Sequence, residues 1–140
     1  MGKFANVLVS QGEIFLMVRD VLMAALAVDE EEVTLEALLS EDLGGESIDR
    51  LDISFQLEKT FRMDIYVEKH NPLKAMDGFW NRDWSRDGLL TEAGIAELKS
   101  RMPYISDWSD LRAGEIHIDE VSTRLTVQMI VDYIVWRQKH

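Results

Sequence analysis

The segment Asp42 to Ile65, DLGGESIDRLDISFQLEKTFRMDI, constrains this chain more than any other. Gly44-Gly45 makes a tight turn, Ser47 stands just beyond it, and no Gly or Pro interrupts the helical pattern that follows. At about 100° per residue that helix carries two apolar stripes. Ile53, Leu57 and Phe61 recur at i, i+4, i+8 on one side, and Ile48, Leu51 and Phe55 at i, i+3, i+7 on nearly the opposite one. An ordinary surface helix has one apolar stripe, turned to the core. The second, flanked by Glu46, Asp49 and Asp52, marks a face kept for partners.

The same residues carry a resemblance. The segment resembles the acyl carrier proteins, whose signature is Asp-Leu-Gly-x-Asp-Ser-Leu followed by an acidic helix. Asp42-Leu43-Gly44 match, Gly45 fills the variable place, and Ser47 falls where the family attaches 4′-phosphopantetheine. Glu46 and Ile48 replace the usual Asp and Leu, and the match runs on through Asp49, Leu51, Asp52, Ile53, Leu57, Glu58, Phe61 and Ile65 without a gap. A serine after a glycine turn alone commonly caps a helix; the whole run in register is what carries the resemblance.

That resemblance implies an all-α, acyl-carrier-like four-helix bundle and a protein that is not an enzyme. It implies covalent 4′-phosphopantetheine, drawn from coenzyme A, on Ser47, and acyl intermediates held as thioesters for fatty acid, polyketide or specialised lipid synthesis. The implied partners are a phosphopantetheinyl transferase and acyl-activating, ketosynthase or acyltransferase enzymes with basic docking patches. They would meet Glu46, Ile48, Asp49, Leu51, Asp52, Phe55 and Glu58. Leu51-Asp52-Ile53, with Phe55, is similar over a few residues to carriers dedicated to unusually long acyl chains. Arg50 and Lys59 depart from the family's run of acids. The alternatives are an unmodified acyl-carrier-like binding or regulatory subunit, and a peptidyl carrier, which the strong acidity disfavours.

Charge supports docking on this face. The chain has 140 residues and a net charge of −11, which argues against nucleic acid or an anionic membrane as partner. Residues 29–65 hold twelve acidic against three basic residues, whereas residues 66–115 hold nine against seven. The acidity therefore surrounds Ser47. Hydrophobic residues make up 46% and charged residues 29%, the balance of a folded chain. With no cysteine, neither disulfides nor a thiol nucleophile arise. No apolar run is long enough to span a membrane, and Asn6 stands where a myristoylation motif needs Ser or Thr, so the expectation is a soluble, cytoplasmic protein without membrane insertion.

The rest of the chain is read as one domain, residues 1–140, with a carrier core at 12–65 and 116–137. Residues 12–28 form an amphipathic helix with Ile14, Val18, Val21, Leu22, Ala25 and Leu26 inward and Arg19 and Asp20 outward; Phe4, Val7 and Leu8 continue its spacing upstream. Asp29-Glu30-Glu31-Glu32 ends it without the ligand spacing of a calcium loop, and no metal site is expected. Leu35, Leu38, Leu39 and Leu43 tuck the following loop onto the core. An insert of about fifty residues, 66–115, separates the second and third helices of the bundle. It holds both prolines and three of the four tryptophans (Trp80, Trp84, Trp108). Within it Leu89 to Met102 reads as a helix with Thr91 as N-cap and Pro103 as stop; the remainder reads as loop or short turns. With Phe79, Trp80, Ile95, Leu98, Tyr104 and Ile105 the insert is too apolar for a linker, and it is expected to pack on the bundle. The family's last two helices then follow, through Asp119-Glu120 and Leu125 to Ile134, with Thr126 as N-cap and Val127, Ile130, Val131 and Ile134 inward. Ser54, beside the inward stripe of the central helix, either leaves room for an acyl chain or faces the insert. His117, between two isoleucines, reads as structural.

Overall fold

The computed structural model describes residues 9–77, 82–109 and 111–140. Helix α1 (Gln11–Leu26) opens at Ser10, whose hydroxyl accepts the Glu13 amide at 3.2 Å. Ile14, Val18, Val21 and Leu22 are buried, and Ala25 and Leu26 pack at the edge of the core. Arg19 does not simply face out. It is half-buried, and its guanidinium meets Glu30 at 2.9 Å, so the acidic turn Glu30–Glu32 folds back onto the helix it ends. The upstream continuation through Phe4, Val7 and Leu8 lies outside the described residues.

Helix α2 (Ser47–Phe61) is the central helix, and the two stripes divide as expected. Ile53, Leu57 and Phe61 are buried to 1% exposure or less, while Ile48, Leu51 and Phe55 are 73%, 42% and 44% exposed. It packs against α1.

The first helix of the insert is α3 (Pro72–Ala75), where Asn71 accepts the Leu73 amide at 3.1 Å and Pro72 takes the first position, which needs no N–H. Two strands follow, β1 (Ser85–Arg86) and β2 (Leu89–Leu90), paired antiparallel with Ser85 opposite Leu90 and Arg86 opposite Leu89. This hairpin corrects the all-α expectation: the fold is helix-rich with a small two-stranded sheet. It also moves the start of the next helix. Asp87 and Gly88 both adopt positive φ, 53° and 80°, the geometry of a two-residue hairpin turn. That turn draws Leu89-Leu90 into a strand, so α4 (Glu92–Arg101) begins only after Thr91, which caps it by accepting the Gly94 amide at 3.1 Å.

The chain closes with α5 (Ile118–Val121) and α6 (Val127–Arg137). His117 caps α5 through Nδ1, which accepts the Asp119 amide at 3.2 Å, a structural role. Thr126 caps α6 by accepting the Met129 amide at 3.2 Å, and Val127, Ile130, Val131 and Ile134 are buried.

Body and insert share their core. Leu73, Met76, Leu90, Leu98, Met102 and Leu111 lie in the same buried cluster as Ile14, Ile53 and Ile130, with Trp84, Ile95, Tyr104, Ile105 and Trp108 against it; Phe79 and Trp80 fall outside the described residues. α3 packs against α2, α4 and α6. A polar contact fastens the insert's first turn to α6, where Tyr133 Oη donates to Glu68 at 2.8 Å and accepts from Arg137 at 2.8 Å; within the insert, Tyr104 Oη donates to the His70 carbonyl at 2.6 Å. Burial alone would raise the Glu68 carboxyl, but hydrogen bonds from Tyr133 and His70 outweigh it and hold the group below the usual carboxylate range. Among the described residues no helix is long and apolar enough to cross a membrane, and no group of three His, Asp or Glu could hold a metal ion.

Candidate functional site

The site is built from the loop that precedes α2. Asp42 closes that loop on itself: its carboxylate accepts the Leu38 amide at 2.7 Å, and its own amide donates to the Leu38 carbonyl at 3.0 Å. Leu39 and Leu43 are buried, with Leu35 and Leu38 half-buried. Gly44 takes φ 71°, a conformation open to glycine at little cost. Gly45 is favoured by closeness: a Cβ there would lie 3.0 Å from the Leu39 carbonyl oxygen and 3.1 Å from Leu39 Cγ, and the Gly45 amide donates to that oxygen at 2.8 Å. The loop is also stitched to the entry of α6, for Leu39 donates to Leu125, Val127 to Ala37 and Gln128 to Leu35, at 2.9 to 3.0 Å.

Behind this pinned turn, Ser47 is the first residue of α2. It is exposed, and its hydroxyl takes part in no hydrogen bond among the described residues. The Glu46 amide donates to the Asp49 carboxylate at 2.8 Å, which satisfies one of the donors a helix start leaves open.

Beside Ser47 lies a cleft of about 190 Å³ between α2 and the insert. The α2 wall is Ser47, Arg50, Leu51 and Ser54, a stripe at i, i+3, i+4, i+7, and the facing wall is Tyr66, Asn71, Leu73, Lys74 and Asp77. Ser54 faces the insert: it is 2% exposed, and its hydroxyl accepts the Asn71 side-chain amide at 3.1 Å. The volume falls below the roughly 300–1,000 Å³ of sites that enclose drug-sized ligands. Arg50 is 8% exposed; its Nη2 donates to the Ser122 carbonyl at 2.6 Å, and its Nη1 is buried with no partner. Burial lowers the Arg50 pKa, and the charge of Asp77 partly restores it.

The outer face of α2 presents the second stripe. Glu46 and Asp52 are exposed with Ile48, Leu51 and Phe55, and Asp49 is half-buried. The insert lengthens this face, because the Tyr66 ring packs on Phe55 at 4.8 Å between centroids and Val67 is 68% exposed. Glu58 is occupied locally. Its carboxylate accepts the amides of Ile65 and Tyr66 at 2.9 and 2.8 Å, and those bonds hold it below the ordinary carboxylate range.

Several curated proteins are similar to parts of this chain. The acyl carrier protein of Petrotoga mobilis is 31% identical over 72 residues, 51% of this chain and 85% of the relative. That of Thermotoga maritima is 39% identical over 56 residues, 40% of this chain and 69% of the relative. That of Treponema denticola is 30% identical over 64 residues, 46% of this chain and 82% of the relative. This chain belongs to the acyl carrier protein family. No family model and no solved structure matches it. In this acyl carrier protein the insert supplies one whole wall of the cleft beside Ser47, with Tyr66, Asn71, Lys74 and Asp77. Sequence reasoning missed those four and treated Arg50 only as a departure from the family's acids. The available signal was spacing, since Arg50 stands three residues after Ser47 and four before Ser54.

Proposed function

We propose that this acyl carrier protein is a carrier and not an enzyme. Ser47 accepts 4′-phosphopantetheine and so presents acyl intermediates for fatty acid, polyketide or specialised lipid synthesis. The observation that carries this reading is the Ser47 hydroxyl, exposed and without a hydrogen bond among the described residues, behind a turn pinned to buried Leu39. In the attachment step Ser47 Oγ attacks the coenzyme A phosphorus that bears the pantetheine. The Oγ–P bond forms, the bond from that phosphorus to the oxygen of the adenosine bisphosphate breaks, and the hydroxyl proton passes to a base. No side chain described here hydrogen-bonds the hydroxyl, so the base belongs to the phosphopantetheinyl transferase. The N-terminus of α2 favours negative charge at this position. Once bound, the group supplies a thiol that holds acyl chains as thioesters.

Glu46, Asp49 and Asp52 meet basic patches on the transferase and on acyl-activating, ketosynthase or acyltransferase enzymes, around an apolar centre of Ile48, Leu51 and Phe55. Glu58 has the smallest part, because its carboxylate holds the turn at Ile65. Body and insert act as one domain. Incubation with coenzyme A and a broad-specificity transferase, read by intact mass, should add one phosphopantetheine to the wild type and none to Ser47→Ala. An unmodified wild type would sink the carrier reading and favour a binding or regulatory subunit. Charge complementarity acts mainly on association rate, so Asp52→Lys should slow modification most at low salt, where screening is weakest. Asp52 is a better probe than Asp49, whose carboxylate also caps α2.

A further inference from the structure

We propose that Arg50 and Lys74 form an anion subsite that takes the phosphodiester of the arm on Ser47 and lays the arm into the cleft between α2 and the insert. The proposal rests on Ser47 being the attachment point and adds a positioning role for two residues. A nearly buried guanidinium is expensive unless its donors are used. Arg50 uses Nη2 on the Ser122 carbonyl and leaves Nη1 without a partner. No ion pair joins it to Asp77 among the described residues. Lys74 is exposed, stands 5.6 Å over the Tyr66 ring and makes no ion pair among the described residues.

The charged walls of the cleft are thus two cations and one acid, net +1, in a protein of net −11. This local reversal lies one helical turn from the hydroxyl that would carry the group, on the same stripe of α2 as Ser47. A phosphodiester holds one negative charge and two free oxygens. With Nη2 held by the Ser122 carbonyl, Arg50 Nη1 is left to donate to one of those oxygens, and Lys74 acts as a point charge beside the other. The small volume agrees with an anionic group and the first atoms of an arm, not a long acyl chain. A carboxylate on the cargo shares this chemistry but would arrive from the far end of the arm.

The test compares wild type, Arg50→Met and Lys74→Met, each before and after modification by the transferase. It reads the Arg50 Nε–H signal by NMR, the 31P line of the phosphodiester and the melting midpoint. Modification of the wild type, with the thiol still free, should move the Arg50 signal, broaden the 31P line and raise the midpoint. In both variants the rise should be largely lost and the 31P line should sharpen. The Lys74→Met comparison and the wild-type Arg50 signal decide the matter even where Arg50→Met folds poorly. A modified wild type with an unmoved Arg50 signal and midpoint overturns this proposal alone. An Arg50 signal that moves only after loading a dicarboxylic half-thioester also overturns it and assigns the anion to the cargo. A chain that refuses modification overturns the carrier reading and this one with it.

Discussion

Ser54 and Glu58 look alike in the sequence, as polar residues on an otherwise amphipathic helix, yet each closes a different contact with the insert. The Ser54 hydroxyl is the acceptor for the Asn71 amide. Ser54→Val would add apolar volume but orphan that buried donor, and an unmade buried hydrogen bond costs about 1–3 kcal/mol. Urea unfolding should show a loss of that size; an unchanged midpoint would mean that Asn71 finds another acceptor. Glu58 binds two backbone amides as a carboxylate, so its folded pKa lies below the unfolded one. A depressed carboxylate stabilises above its unfolded pKa and loses that contribution as pH falls through the folded value. Glu58→Gln should therefore be less stable near neutrality, by about 1 kcal/mol once solvent exposure is discounted. The difference from wild type should shrink as pH falls below the ordinary glutamate value of about 4.3 and through the lower folded one; a gap constant with pH would remove the charge from the explanation. The pattern of α2 located both residues and left open where Ser54 points. Only the position of Asn71, far along the chain, decides that, and no local spacing encodes it.

Among the elements, α4 and its hairpin show how local chemistry and packing divide the work. Thr91, Thr126 and Pro103 were legible because caps and stops act through neighbouring backbone. The hairpin turn was also present in the sequence, as Asp87-Gly88, but Leu89-Leu90 continue the apolar stripe of α4 and so read as its first turn. Gly94 is the clearest case of a local rule overruled. Propensity alone favours Ala there by about 1 kcal/mol. A Cβ, however, would lie 2.7 Å from the Trp84 carbonyl oxygen and 2.6 Å from Leu90 Cδ1, and a backbone carbonyl cannot step aside as a flexible side chain can. Overpacking of this kind costs about 1–3 kcal/mol. Gly94→Ala should lower the melting temperature, and a rise would show that the hairpin yields.

Across the whole molecule, residues of the body and of the insert lie in one buried cluster. The carrier body was legible because its helices obey one period, whereas the seat of the insert depends on pairings between distant segments, such as Tyr133 with Glu68 and Leu90 with Ile116. Removing residues 67–114 behind a short Gly-Ser link would strip Leu73, Met76, Leu90, Leu98, Met102 and Leu111 from the shared core. The shortened chain should lose its cooperative urea transition; a sharp transition near the wild-type midpoint would make the insert a separable appendage. The stitching of the 35–39 loop to residues 125–128 carries a consequence for synthesis. Chains leave the ribosome N-terminus first, so Ser47 emerges long before the residues whose backbone holds its turn. On the reading proposed for Ser47, a nascent or prematurely stopped chain offers its serine on an unsupported loop, and the transferase meets the finished turn only after α6 has been made. The turn beside Ser47 is thus finished by backbone made about eighty residues after it, and a chain stopped before Leu125 should lack the bonds that join residues 35–39 to 125–128.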